Sequence, residues 1–293
     1  MKLLLKYIFI LFICACSSNT ENEKVYQEID LLSQLDIHLS KPVSGDWLYE
    51  HKEKGQTFEQ FEATFKPSFD SIKNTIIVQP LGNFTKEQLL NIDTLVEYLG
   101  IFYQSNVILA PGIADTVIPH YKRRFQGPTE QKLDAGFILN NEMGNKKYPN
   151  TAFTLFITSN DIYPEGGNFL FGLASSSLKR GVVSMYRFVD SEDTANYNLA
   201  LEYLCKVSTH EGSHILGIKH CINAHCLING ANDLFEMNQS PCNLCSVCLK
   251  KLQLCTHFNL KKYANEMLLF SQKHHFKRSI TYWERVNKLI HKL

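Results

Sequence analysis

His210-Glu211-x-x-His214 sets two imidazoles four residues apart, with a carboxylate beside the first. On a helix these two positions share a face, so both rings can offer a nitrogen to one ion about 2.0–2.1 Å away. Glu211 stands one step round, able to reach a water on that ion without ligating it. Gly217 follows three residues after His214, where a glycine can take the left-handed conformation that ends a helix. His220, three residues further on, can then swing back as a third ligand. Three neutral imidazoles leave one coordination position for water, as catalytic zinc requires. The alternative is a helix whose terminal histidines simply face solvent and the helix dipole, which needs neither the glycine nor the third histidine.

The cysteines form a second group. Cys221-x4-Cys226 is followed by PCNLCSVCLKKL, which carries Cys242, Cys245 and Cys248. Two close pairs suit a tetrahedral thiolate zinc site that is structural and closed to water. It would pin the loop after His220 to the downstream segment. Spacing alone leaves open which two of the three downstream cysteines take part. Thiolates suffice for such a site, so His225 reads as an exposed loop histidine. Of the chain's nine cysteines, Cys14 and Cys16 lie near the N-terminus, and the others fall at 205, 221, 226, 242, 245, 248 and 255. Seven residues clustered in the last third look like a local metal site rather than a disulfide framework.

The opening MKLLLKYIFILFICAC has the basic start and short apolar stretch of an export signal, too short to span a bilayer as a helix. Ile13-Cys14-Ala15-Cys16 resembles the bacterial lipobox, which makes Cys16 the expected lipidation site and the membrane anchor of an exported, cell-envelope protein. The polar run after it reads as a tether over 17–45, ahead of a single catalytic region over 46–293. A formal net charge of +1 gives no field to gather nucleic acid.

Within 46–293 the patterning predicts the elements that must position these groups. TIIVQ (75–79) and VILA (107–110) read as strands. A Thr85-x-x-Gln88 capping box and apolar residues at helical spacing predict a helix over 85–102. A further helix is expected over 128–139. TAFTLFIT (151–158) and GVVSMYRF (181–188) read as strands, and helical patterning resumes near Thr194. The expected fold is α+β: a mixed twisted sheet with an active-site helix over about 70–220, a cysteine-rich part over about 221–255, and C-terminal helices over about 259–291.

HExxHxxGxxHC-x4-C followed by CxxC resembles the signature of the archaemetzincins, zinc metallopeptidases of the metzincin clan. DIYPEGGNFLFGLASSSLKRGVVSMYRF upstream and LCSVCLKKLQLCTHFNLKKY downstream extend the likeness to roughly residues 70–270. The resemblance implies a metzincin-like fold and two zinc ions per chain. It makes His210, His214 and His220 the catalytic zinc ligands and Glu211 the general base. Cys221, Cys226, Cys245 and Cys248 become the second site, with the Lys-Lys-Leu after Cys248 aligning the last pair and leaving Cys242 extra. Three departures stand out. Ile228 occupies the position of the family's Met-turn methionine, Cys242 could compete for metal or oxidise, and an export signal sits oddly with thiolates, which could instead pair as disulfides.

The expected activity is hydrolysis of peptide bonds by metal-activated water with Glu211 as base. A peptide substrate would lie as an extended strand along the sheet edge near the metal, for which 151–173 is the local candidate. The rival expectation is a metal-stabilised binding protein on the same fold, weakened by the loss of the Met-turn. A zinc amide hydrolase with non-peptide substrates is a third.

Overall fold

TIIVQPL carries apolar side chains toward both faces, the pattern of a strand covered on both sides in a parallel sheet. The computed structural model describes residues 23–70, 72–125, 130–141, 143, 148–188 and 197–291. The export signal and Cys16 lie outside the described residues.

Helices α1 (23–31), α2 (Trp47–Glu50) and α3 (Phe58–Thr64) precede the sheet. Then come β1 (Thr75–Leu81), α4 (Lys86–Tyr103), β2 (Asn106–Leu109), β3 (Arg123–Phe125), β4 (Gln131–Asp134) and α5 (Ala135–Asn140). Strands β5 (Thr151–Thr158), β6 (Asp161–Tyr163), β7 (Gly172–Ser175) and β8 (Arg180–Ser184) lead to the long α6 (Tyr197–Ile215). The chain closes with α7 (Leu234–Gln239), α8 (Ser246–Thr256), α9 (Leu260–Lys273) and α10 (Lys277–Ile290).

The main sheet has five strands in the order β2-β1-β5-β8-β7. β2, β1, β5 and β8 run parallel, and β7 turns back antiparallel on β8 to form the edge. A smaller sheet pairs β3, β4 and β6. Alternation along β5 divides the core. Phe153, Leu155 and Ile157 join Leu95, Leu99, Leu201 and Leu204 under α4 and α6. Phe156 faces the other way, with Leu133, Ile138 and Leu139 around α5. The fold is the mixed α+β arrangement expected, with a cysteine cluster and helices after it.

Three local expectations differ. The described part of the helix expected over 128–139 is strand β4 followed by the short α5. Residues 131–133 pair with 123–125, and Asp134 Oδ1 accepts from Phe137 N at 2.8 Å to start the helix only there. Strand β5, inside the expected substrate edge of 151–173, is an interior strand, and the edge falls to Gly172–Ser175. The described part of the expected tether, residues 23–45, is folded onto the body instead. Ile29 and Leu32 are fully buried, Leu39 N donates to Asn223 O at 3.0 Å, and Ser246 N and Oγ donate to the Asp36 carboxylate. The polar composition concealed a short apolar stripe that needs covering.

Candidate active site and metal centres

Helix α6 supplies the first part of the site. Leu201, Leu204, Cys205 and Ser208 face the core with 1% exposure or less, which turns His210 and His214 toward a cleft bordered by β7. Gly212 lies against the Tyr103 hydroxyl with no room for a Cβ, so α6 and α4 approach closely there. The helix ends in a Schellman turn: Gly217 N donates to His214 O at 2.9 Å and Ile218 N to Ser213 O at 3.1 Å, with Gly217 at φ +90°. The reversal carries His220 back to the other two histidines.

The three rings converge, with one nitrogen from each within 4.8 Å of the others. His210 and His214 bring their Nε2 atoms to 3.0 Å. Their remote nitrogens are engaged from behind. His210 Nδ1 donates to Leu227 O at 3.0 Å, His214 Nδ1 to Ile218 O at 2.7 Å, and His220 Nδ1 lies 2.8 Å from Glu53 Oε1. A carbonyl can only accept, so the first two rings carry hydrogen on Nδ1 and present bare Nε2 lone pairs to the centre. Burial, with the neighbouring imidazoles, pushes the pKa of His210 well down and that of His214 to about 4. Neutral rings with inward lone pairs fit a divalent ion.

Glu211 is buried, and burial raises its pKa to about 8. Its carboxylate rests against the edge strand: a Cβ on Gly172 would stand 2.5 Å from Oε1 and 2.6 Å from Cγ. The cleft has a volume of about 280 Å³, lined by the three histidines, Glu211, Trp47, Phe171, Leu173, Val207, Leu227 and Met237. Lys206, one turn before His210, also lines it, and its buried ammonium donates to Met237 O and Ser240 O at 3.1 and 2.7 Å.

The second cluster comprises Cys221, Cys226, Cys245 and Cys248, all buried, with their sulfurs within 4.8 Å of one another. Cys221 and Cys245 Sγ are 3.7 Å apart. Four thiolates at the usual zinc distance form a tetrahedron with edges of about 3.8 Å, whereas a disulfide needs about 2.05 Å. The donor set therefore fits zinc. Cys242 stands outside this cluster, its thiol directed at Glu202 Oε1 at 3.5 Å. His225 is half-buried and belongs to neither group. Ile228 is fully buried, and its carbonyl accepts from Cys221 N at 2.9 Å, so the turn after Cys226 links both clusters.

Glu53, Trp47 and Gly172 were not visible as site residues in the sequence. Glu53 lies in an ordinary charged stretch, HKEKGQ, far from the histidines along the chain. Its carboxyl is pushed up by burial, but hydrogen bonds from His220 and Trp47 outweigh this and hold it below the usual glutamate range.

Comparison with known proteins gives consistent likenesses. The family model described as Peptidase family M54 matches residues 70–254. Archaemetzincin-2 of Homo sapiens is 28% identical over 273 residues, covering 82% of this chain and 74% of that protein. An archaemetzincin of Archaeoglobus fulgidus is 35% identical over 105 residues, covering 36% of this chain and 62% of its own. In three dimensions the crystal structure of archaemetzincin from Methanopyrus kandleri matches with a TM-score of 0.50 at 23% identity, covering 63% of this chain and 96% of that one, a likeness of fold.

Proposed function

The chain belongs to peptidase family M54 and is a zinc metallopeptidase, and from that premise we propose that His210, His214 and His220 hold its catalytic zinc while Glu211 serves as general base in peptide-bond hydrolysis. The observation that carries this reading is the meeting of three ring nitrogens beside a buried carboxylate. Zinc at that point supplies a Lewis acid that makes water nucleophilic near neutral pH and polarises a peptide carbonyl.

The chain's own groups do the rest. Leu227 O and Ile218 O keep His210 and His214 in the tautomer that leaves Nε2 free. Glu211 takes the proton of the attacking water and returns it to the departing amine; burial alone favours its protonated form, and the charge of a zinc ion held by the adjacent histidines would restore the carboxylate that this role needs. Strand β7 offers a sheet edge along which an extended peptide can pair through its backbone. The apolar walls of the cleft keep bulk water away from the reacting bond.

A second zinc on Cys221, Cys226, Cys245 and Cys248 is part of the same reading, as a structural site supported by the sulfur spacing. Export and lipidation at Cys16 are supported by the N-terminal pattern alone, and a Cys16→Ser protein released from membranes would test them.

The decisive measurement is cleavage of a peptide library by wild type and Glu211→Gln. The variant should lose about 10²- to 10⁴-fold in kcat while retaining its zinc. Equal cleavage by both proteins would remove Glu211 from the mechanism. No cleavage by a zinc-loaded wild type would favour a metal-stabilised binding protein.

A further inference from the structure

The three histidines are backed unequally. Two donate to main-chain carbonyls within the stretch that the family model matches, whereas His220 faces a carboxylate from Glu53, upstream of residues 70–254. Glu53 Oε1 lies 2.8 Å from His220 Nδ1 and accepts from Trp47 Nε1, also at 2.8 Å, so one oxygen is fixed from two sides. The Trp47 ring meets His220 edge-on at a centroid distance of 5.5 Å and stacks on His51 at 3.8 Å.

The segment carrying Glu53 is itself fastened to the turn that delivers His220. Gln56 Nε2 donates to Gly217 O at 3.3 Å, and Gln56 Oε1 accepts from Lys219 N at 3.2 Å. Gly55, at φ +65°, lies so close to Ile222 that a Cβ would stand 2.7 Å from its side chain. Residues 53–56 thus clasp the chain on both sides of His220.

We propose that Glu53 is a positioning residue for the catalytic metal, orienting His220 through Nδ1 so that its other nitrogen faces the centre, and that the upstream segment thereby completes the site. The inference rests on the three-histidine reading above. A ring on a loop after a helix end has more freedom than the two ligands on α6, and it therefore gains most from an external anchor. A carboxylate behind a ligating imidazole strengthens the ring as a donor beyond what a carbonyl does, and loss of such a partner typically costs about 10- to 100-fold in metal affinity.

The test compares full-length wild type, Glu53→Ala and Glu53→Gln, each loaded with zinc and equilibrated against graded chelator. Bound zinc is counted, and alkylation of free thiols reports the cysteine cluster independently. Glu53→Ala should release the histidine-held zinc at about 10- to 100-fold lower chelator strength, with thiol protection unchanged. Glu53→Gln can still accept from both donors but lacks the charge, so it should fall between Glu53→Ala and wild type. A partial rescue of this kind separates orientation through a charged acceptor from simple packing. Retention of zinc by both variants within twofold of wild type would overturn the proposal. A wild type that holds zinc only at the thiols would overturn the three-histidine reading and this inference with it, and is recognisable because the unaltered protein is then at fault.

Discussion

At the scale of single residues, the chemistry depends on what stands behind each functional group. His210 and His214 are readable from their spacing, but their neutral state follows from burial beside the other imidazoles, and their tautomer from two carbonyls that no motif encodes. Ile228 illustrates the converse, a motif departure whose consequence depends on packing. The residue is fully buried, and its contribution to the turn is made by its backbone carbonyl toward Cys221. Isoleucine and methionine have similar volumes, and swaps of this kind usually cost less than about 1.5 kcal/mol. Ile228→Met should therefore retain zinc and shift the melting temperature by no more than about 6 °C. Loss of zinc on this substitution would show that side-chain shape at position 228 matters more than the backbone link. The histidines and Glu211 were legible because HExxH spacing is a local property of one helix. Glu53 was not, since its partner His220 is 167 residues away and only the fold brings them together.

Among the elements, legibility followed the strength of local signals. The capping box at Thr85 and Gln88 is present in the structure, with both reciprocal hydrogen bonds, and α4 begins where it indicates. The helix expected over 128–139 gave way to β4 and α5 because pairing with β3 is non-local and overrode a weak helical pattern interrupted by Gly136. The contact between β7 and α6 was equally hidden, and it makes a sharp prediction. Gly172 is where the edge strand touches the Glu211 carboxylate, and a methyl group there would stand 2.5 Å from Oε1. Gly172→Ala must push that carboxylate aside while leaving the histidines on their own supports. Its kcat should fall on the order of 10²-fold, the usual effect of misplacing a catalytic group by about an ångström. Zinc content should not change. A variant with full activity would mean that Glu211 can reach its proton from another rotamer.

For the molecule as a whole, residues far apart in sequence converge on the loop between α6 and α8. The segment after α1 pairs with it through Leu39, Asp36 holds Ser246 at the start of α8, and four cysteines gather its two ends. Zinc on the thiolates would tie these pieces together, because the sulfurs of Cys221 and Cys226 belong to the loop after His220 while Cys245 and Cys248 belong to the start of α8. A ligand that binds only the folded state stabilises it by mass action, about 4 kcal/mol when free ligand exceeds the dissociation constant a thousandfold. For a chain of this size that corresponds to a shift in melting temperature on the order of 10 °C. Stripping all zinc with a strong chelator under reducing conditions should lower the melting temperature by about that amount, and restoring zinc should recover it. Cys245→Ser should melt near the stripped protein and respond much less to added zinc, whereas His214→Ala, which spares the thiols, should keep most of the response. Equal melting temperatures for stripped and loaded wild type would mean that packing around the cysteines holds the loop without metal. A fall caused by reductant alone, with zinc present, would point instead to disulfides joining the same two ends.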